Sequence, residues 1–170
     1  LAPMPSGRAG HAAAVLGGRF YVLGGDGGGG MTNSVLRCDP VAYAWQPVAR
    51  MQEARGMPAA VAHGGHLYAL GGFGLNTVER YDSHANRWQY VAPMPSPRCF
   101  HSAAVLAGSF YVAGGRSYSG QVMDTVVRYD PVGDSWQERP RRRPRDSRGA
   151  ISRLPRLSRA PQATEIAVKG

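Results

Sequence analysis

The sequence is poor in cysteine and lacks any long apolar segment, and each deficit excludes a class of protein. Only two cysteines, Cys38 and Cys99, occur in 170 residues, which is too few for a disulfide-stapled secreted domain and favours a reducing compartment. No stretch of about 18 apolar residues could form a membrane-spanning helix, and the first residues do not have the pattern of a secretory signal. We therefore expect a cytoplasmic protein, with the nucleus as the alternative, and no membrane partner.

Acidic residues are also scarce, but the resulting positive charge is unevenly distributed. The chain has 20 basic and 11 acidic residues, for a net charge of +9. Residues 1–137 contain ten arginines and eight acidic residues, so their net charge is about +2, whereas residues 138–170 contain nine arginines, one lysine and three acidic residues, for +7. Residues 1–137 therefore do not have the charge of a nucleic-acid-binding domain.

The chain is built from three repeats, each marked by a pair of glycines after an aromatic and β-branched segment. The pairs are Gly24-Gly25, Gly71-Gly72 and Gly114-Gly115. In every copy a methionine lies 20 residues and an arginine 16 residues before the first glycine, and an aspartate downstream is followed six residues later by tryptophan. These tryptophans are Trp45, Trp88 and Trp136. Such fixed spacing is the signature of a repeat protein.

Each repeat predicts four short antiparallel strands. A run of small residues such as residues 12–16 is followed by a tight turn and an aromatic segment, which indicates a hairpin. The glycine pair is expected to end the second strand, because the backbone there needs either positive φ or close approach to another segment. The third strands are predicted at 34–39, 77–82 and 125–130, and each fourth strand at its tryptophan. Four such strands in about 45 residues describe one blade of a β-propeller.

The repeats resemble the kelch repeat over residues 1–137, in the glycine pairs, in Tyr81-Asp82 and Tyr129-Asp130, and in the tryptophan six residues later. The turn at residues 94–98 and the segment at residues 78–82 look most like the kelch domains of kelch-like BTB adaptors. That resemblance implies a propeller, usually of six blades, that recruits protein substrates to a cullin-based ubiquitin ligase through a separate BTB domain. The sequence contains no BTB domain, so a cullin ligase is expected as a partner only through that absent region.

We therefore predict an all-β fold, with three four-stranded antiparallel blades of an incomplete kelch-type β-propeller. Three blades cannot close a ring, so two blade faces should be left uncovered. The expected divisions are 1–4 as the end of a preceding blade, 5–50, 51–93 and 94–138 as kelch repeats 1 to 3, and 139–170 as a disordered Arg/Pro-rich tail. The assignment of 1–4 depends on the match between residues 1–4 and residues 91–94, so we expect that part of the natural protein precedes the chain.

The basic tail has two interpretations. The favoured one is a solvated terminus, non-native through alternative splicing or a shifted reading frame. The other is a nuclear-localisation or polyanion-binding segment. We accordingly expect contact with nucleic acid only through this tail, if at all.

The resemblance also implies where a partner binds. In the similar adaptors, contacts occur two residues after the first glycine of each pair and 14 residues before it. Those positions are Asp26, Phe73 and Arg116, and Gly10, Met57 and Phe100, with Leu75 and Tyr118 beside them. One arginine among apolar groups predicts a protein or peptide partner with apolar anchors and one acidic contact. The alternative is loop variation unrelated to any partner.

The repeated arginines and the cysteine in the third inter-blade turn each allow two interpretations. Arg8, Arg55 and Arg98 could form a basic ring for acidic ligands, but their fixed register favours structural pairing with an aspartate or backbone carbonyls of the same blade. Arg37, Arg80 and Arg128 recur in the same way. Cys99 lies beside Arg98, where a cation could activate a thiol, but an inert cysteine is favoured.

The remaining motifs predict no enzyme, metal or cofactor. His11 and His101 share a repeat position, and the other histidines (His63, His66 and His84) form no ligand pattern. The glycine-rich segment 24–30 lacks the ending of a phosphate-binding loop and no helix pattern follows it, so we expect a flexible loop. Kelch-type copper-radical oxidases and sialic-acid enzymes need metal or arginine clusters that the repeats do not supply. The prediction is a protein-interaction module, in particular the substrate-recognition part of a ubiquitin-ligase adaptor, with an actin-associated scaffold as the alternative.

Overall fold

The computed structural model describes residues 2–138, which form twelve strands in three antiparallel sheets. The first sheet, blade 1, contains β1 (Ala12–Leu16), β2 (Arg19–Leu23), β3 (Val35–Asp39) and β4 (Ala44–Val48). Blade 2 contains β5 (Ala59–His63), β6 (His66–Gly72), β7 (Leu75–Asp82) and β8 (Arg87–Val91). Blade 3 contains β9 (Ser102–Leu106), β10 (Ser109–Ala113), β11 (Val126–Asp130) and β12 (Ser135–Glu138). The predicted fold of three four-stranded blades is confirmed, and the predicted disorder of 139–170 lies outside the described residues.

Strand ends differ slightly from the sequence-based expectation. Each fourth strand begins one residue before its tryptophan, and β3 and β11 begin one residue later than predicted. In blades 1 and 3 the second strand stops just before the glycine pair, but β6 includes Gly71-Gly72 and pairs again through Leu75. This difference arises because the connection in blade 2 is a short turn, whereas the other two blades have longer loops. No helix is assigned in residues 2–138, so nothing in this part is long and apolar enough to cross a membrane as a helix.

At the glycine pairs the backbone has positive φ and also lies very close to another segment of the chain. Gly71 has φ of 58°, and a Cβ added there would lie 2.6 Å from the carbonyl oxygen of Arg98 in the next blade. Gly115 has φ of 97°, and its added Cβ would lie 2.6 Å from the carbonyl oxygen of Cys99. A side chain at either position would therefore force neighbouring backbone to move.

The three sheets stack with their first strands innermost. β1 contacts β5, and β5 contacts β9, so the alanine-rich strands lie together on the inner side of the stack. Each junction between blades buries its own apolar core. Tyr21 of blade 1 packs edge-on against Tyr81 of blade 2, and Tyr68 of blade 2 packs against Phe110 and Tyr129 of blade 3. The small side chains of the inner strands suit this crowded position, where larger residues would separate the sheets.

A tryptophan on the fourth strand joins each blade to the segment that precedes it. The indole Nε1 of Trp88 donates to the carbonyl oxygen of Ala49 at 2.9 Å, and that of Trp136 donates to Ala92 at 2.8 Å. Trp45 makes the same bond to Ala2 at 2.9 Å. For Trp88 and Trp136 the acceptor directly follows the last strand of the preceding blade, so these tryptophans set the spacing between blades.

The two outer faces of the stack are uncovered in the part of the chain that the structure describes. Phe20 of blade 1 is 41% exposed, whereas its counterparts Leu67 and Phe110 are fully buried by the blade in front of them. Val126 of blade 3 is 39% exposed, whereas the equivalent Val35 is 1% exposed. These exposures agree with three blades of an incomplete propeller.

The repeated arginines bond to their own blades. Arg8, Arg55 and Arg98 each donate from Nη1 to the carbonyl oxygen of the first glycine in their blade's pair, at 3.1, 2.7 and 3.2 Å. Arg55 and Arg98 are almost completely buried. These contacts favour the structural interpretation over a basic ring for ligands.

Blade 2 differs from the other blades because it buries a carboxylate. Glu79 is fully buried and accepts from Arg55 Nη2 at 3.0 Å. It also accepts from the backbone amides of Gln52 at 2.7 Å and Glu53 at 3.2 Å. The equivalent residues in blades 1 and 3 are apolar, Leu36 and Val127.

A buried histidine in the junction between blades 2 and 3 predicts acid sensitivity. Burial, followed by the positive charge of Arg98, lowers the pKa of His101 to about 4. The unfolded chain, with an ordinary histidine pKa near 6.5, therefore binds a proton that the folded protein does not. The stabilisation is fully present above about pH 6.5 and is lost as the pH falls towards 4, by up to about 3 kcal/mol.

We expect His101→Gln to flatten the decrease in unfolding free energy between pH 7 and pH 4, measured by urea denaturation. His11→Gln is the matched control, because His11 occupies the same repeat position but is exposed. Identical pH dependence in the parent protein and in His101→Gln would contradict this prediction.

Candidate functional site

The loops predicted to bind a partner gather at one end of the blades. Each second-to-third strand connection lies beside the turn that precedes the first strand, because the strands are antiparallel. Asp26 and Ala9 exchange two backbone hydrogen bonds of 2.9 Å. Phe73 donates to the carbonyl oxygen of Gly56 at 2.9 Å, and Arg116 donates to that of Cys99 at 2.8 Å. The two families of predicted positions are therefore neighbours within every blade.

Backbone hydrogen bonds also connect these turns from one blade to the next. The amide of Met57 donates to the carbonyl oxygen of Gly10 at 2.7 Å, and the amide of Phe100 donates to that of Met57 at 3.2 Å. All three residues have left-handed backbone, with φ of 59° at Gly10 and 55° at Met57 and Phe100. This conformation is uncommon for bulky residues and often marks functional positions. The three turns thus form one continuous surface.

The side chains at this end are mainly aromatic and apolar. Phe73, Phe100 and Tyr118 are 47%, 62% and 72% exposed, and the rings of Phe73 and Tyr118 lie 5.7 Å apart between centroids. Met57 and Leu75 are partly buried beneath them. Solvent exposure of several large apolar side chains on neighbouring loops is typical of a surface that binds another molecule.

Met31 belongs to the same surface, although the sequence analysis did not identify it. It is about half exposed and covers Gly56, where an added Cβ would lie 2.6 Å from its sulfur. Beside it lies an apolar cavity of about 410 Å³, lined also by Gly10, Asp26 and Met57. Met31 lies in a connecting loop whose length differs between the blades, so spacing could not reveal it; its counterpart in blade 3 is Val122, which pairs with Arg116 as Met31 pairs with Asp26. The available signal was a single methionine next to a glycine-rich loop. We call Met31, Met57, Phe73, Phe100 and Tyr118 the apolar loop surface.

Two charged residues flank the apolar loop surface, and both also organise their own loops. Asp26 accepts from the amides of Gly28 at 2.7 Å and Gly30 at 3.1 Å, so its carboxylate orders the glycine-rich segment. Arg116 is exposed and donates to the carbonyl oxygen of Gly120 at 3.3 Å. Because the side chain is exposed, its guanidinium is accessible to an acidic group.

The structure gives little support to a reactive thiol at Cys99 or to a metal site in the described region. Cys99 is buried, and burial raises the pKa of its thiol, which favours the inert interpretation. Within residues 2–138, no three His, Cys, Asp or Glu side chains come close enough to bind a metal ion.

Three stacked antiparallel blades of four strands each define a propeller-type repeat protein. The family model described as the Kelch motif matches residues 7–52, 54–95 and 97–141, so the chain belongs to the kelch-repeat family. This result confirms the resemblance found in the sequence, and the chain is a protein-interaction module of the kelch type.

Curated relatives match part of the chain. It is 40% identical over 77 residues to mouse Kelch-like protein 9, and 39% identical over 77 residues to human Kelch-like protein 13. It is 35% identical over 82 residues to zebrafish Kelch repeat and BTB domain-containing protein 12. These alignments cover 42%, 42% and 43% of the chain, but 12%, 12% and 13% of the respective relatives. The chain therefore corresponds to a small part of these proteins.

Proposed function

We propose that this chain is the substrate-recognition part of an adaptor that delivers proteins to a cullin-based ubiquitin ligase. Its kelch repeats and its similarity to Kelch-like proteins support an interaction role. One relative is named for a BTB domain as well as for kelch repeats, and a BTB region outside the present sequence would provide the ligase contact. The proposed compartment is the cytoplasm, with the nucleus as the alternative.

The observation that carries this proposal is the apolar loop surface. Its side chains come from all three blades and are held on neighbouring turns by the bonds between Gly10, Met57 and Phe100. Interfaces draw most of their binding energy from a few aromatic and other large side chains fixed on a rigid support. The exposed side chains of Phe73, Phe100 and Tyr118, which lie on loops at one end of the blades, fit that description.

The chemistry of the surface indicates the class of partner. The cavity beside Met31 is large enough for an aliphatic or aromatic side chain, and its lining is mainly apolar. Arg116 adds one positive charge at the edge of the surface. We therefore propose a protein or peptide partner that inserts apolar anchors and places one acidic group near Arg116.

The double variant Phe100→Ala/Tyr118→Ala should lose its protein substrate while keeping its fold. Truncation of aromatic anchors typically costs 2 kcal/mol or more, which weakens binding by about 30-fold. Val132→Ser is the matched control, because Val132 is 97% exposed on the turn between β11 and β12, at the opposite end of blade 3. The measurement is quantitative affinity capture with the full-length protein that contains this chain, under conditions that block ubiquitin transfer.

Cullin should be recovered equally with the parent protein and with both variants, since the proposed ligase contact lies elsewhere. Substrate should be lost only from the double variant. Equal substrate recovery from all three proteins would contradict the proposed surface. Recovery of actin filaments instead of cullin would favour the cytoskeletal scaffold and contradict the adaptor function.

A further inference from the structure

Blade 1 contains a pocket whose counterpart in blade 2 is occupied by a carboxylate of the chain itself. The pocket has a volume of about 350 Å³ and lies between the turn at residues 6–8 and the glycine-rich loop. It is lined by the hydroxyl-bearing residues Ser6, Thr32 and Ser34, by glycine backbone and by Arg8. It therefore combines one cation with several hydrogen-bonding groups.

Arg8 has no charge partner in the part of the chain that the structure describes. Its Nη1 donates to the carbonyl oxygens of Gly24 at 3.1 Å and Ser34 at 3.4 Å. Its Nε, like that of Arg98 in blade 3, is buried and has no hydrogen-bond partner among residues 2–138. No carboxylate in that part of the chain forms an ion pair with Arg8. Burial lowers the pKa of Arg8, but an arginine remains charged at neutral pH. A partly dehydrated, uncompensated cation therefore lies at the wall of the pocket.

The equivalent arginine of blade 2 shows which chemical group fits. Glu53 precedes Arg55 by two residues and accepts from its Nη2 at 3.3 Å. Glu53 also accepts a hydrogen bond from the hydroxyl of Thr77. Its side chain is 31% exposed, so the carboxylate approaches the guanidinium from the solvent side. The residues at the positions of Glu53 and Thr77 in blade 1 are Ser6 and Ser34.

Blade 3 closes the same site in a different way. Ser96 Oγ accepts from Arg98 Nη2 at 3.1 Å, and Thr125 Oγ1 accepts from the same nitrogen at 3.2 Å. Ser6 is exposed and makes no corresponding bond to Arg8 within residues 2–138. In blades 2 and 3 an oxygen of Glu53 or Ser96 accepts from Nη2 of the repeated arginine. In blade 1 the corresponding place beside Arg8 is part of the open pocket.

We propose that the pocket beside Arg8 binds a carboxylate side chain, aspartate or glutamate, of the partner protein. The identity of the ligand as a partner's side chain rests on the proposed function. Met31 lines both this pocket and the apolar cavity on the other side of the glycine-rich loop. The partner segment accordingly carries its acidic residue close to an apolar anchor. An arginine–carboxylate contact of this kind is a charge-assisted hydrogen bond.

The test uses the full 170-residue chain and a small probe, so it does not depend on finding the partner. The probe is N-acetylglutamate methylamide, and the uncharged control is the corresponding glutamine compound, both at constant ionic strength. NMR of arginine Nε–H groups reports binding, with the Arg8 signal assigned by its loss in Arg8→Lys. We expect the acid to shift the Arg8 signal saturably and the amide to shift it at least fivefold less.

Two variants at position 6 make the test specific. Ser6→Glu supplies the carboxylate as Glu53 does in blade 2, so its Arg8 signal should no longer respond and its melting temperature should rise by about 2–4 °C. Ser6→Gln is matched in size but neutral, and it should respond like the parent chain. The proposal is overturned if acid and amide give equal shifts, if Ser6→Glu still responds, or if inorganic phosphate saturates the site and the acid does not. Any of these results leaves binding by the apolar loop surface intact, just as loss of substrate capture leaves the probe result intact.

Discussion

Replacing Glu79 with valine should lower the free energy of unfolding by about 3–5 kcal/mol, one of the two largest effects we expect. Glu79 and Arg55 are both fully buried, with Glu79 Oε1 3.0 Å from Arg55 Nη2. Removing the carboxylate leaves a buried cation with less compensation, because Glu53 still contacts Arg55 but is partly exposed. It also leaves the amides of Gln52 and Glu53 without their acceptor. Urea unfolding followed by tryptophan fluorescence measures the change.

The other two blades provide the matched control for this prediction. At the position of Gln52 they have Pro5 and Pro95, which have no amide hydrogen that needs an acceptor. They also have serine at the position of Glu53 and an apolar residue at the position of Glu79. The double variant Gln52→Pro/Glu79→Val removes one of the two amides that lost their acceptor and keeps Glu53 in contact with Arg55, so it should be more stable than Glu79→Val. A double variant no more stable than Glu79→Val alone would show that the buried carboxylate and the turn are not coupled.

Replacing Trp88 with alanine should destabilise the protein by about 3–5 kcal/mol and loosen blade 2 from blade 1. The indole is 4% exposed, stacks on Tyr81 with 5.0 Å between ring centroids, and donates to the carbonyl oxygen of Ala49. An aromatic ring that buries about 150–250 Å² contributes several kcal/mol at about 25 cal/mol per Å². Thermal melting followed by circular dichroism gives the size of the effect.

Two controls separate packing from hydrogen bonding at Trp88. Trp88→Phe keeps much of the packing and loses the Nε1 donor, so it should cost about 1–2 kcal/mol. Trp45→Ala should cost less than Trp88→Ala, because Trp45 lies on the uncovered outer face of blade 1 and is only partly buried. Unchanged melting of Trp88→Ala would contradict the role assigned to this residue at the junction between blades.

The repeated part of the fold could be predicted because the same physical constraint recurs in every blade. Three features recur in every blade: the glycine pair, the aspartate before the turn that follows the third strand, and the tryptophan. Each has a similar backbone conformation and equivalent neighbours within its own blade. Their spacing therefore determines strand number and order. The shift of β7 to Leu75 could not be predicted, because the length of each connecting loop is independent of the blade core.

The spacing of the repeats could not predict features that occur in one blade only. Glu79 lies on β7, a strand with a neighbour on each side, directly after the apolar Val78. The sequence does not show that its side chain is buried, and only that burial places it against Arg55. The substitution of proline by Gln52 was a signal that could have located this network, since it introduces an amide that needs an acceptor. Met31 and the pocket beside Arg8 depend on the path of the glycine-rich loop, which spacing does not determine.

The central claim is that the three blades form one rigid stack whose loops meet in a single surface, and amide hydrogen exchange at Met57 and Phe100 tests it most directly. Both amides lie in turns outside the strands, and their acceptors, Gly10 and Met57, belong to the adjacent blade. If the blades are stacked as described, these two amides should exchange as slowly as amides in the central strands, because they open only when the blades separate. Exchange of Met57 and Phe100 at the rate of freely exposed loops would contradict the stack and the binding surface built on it.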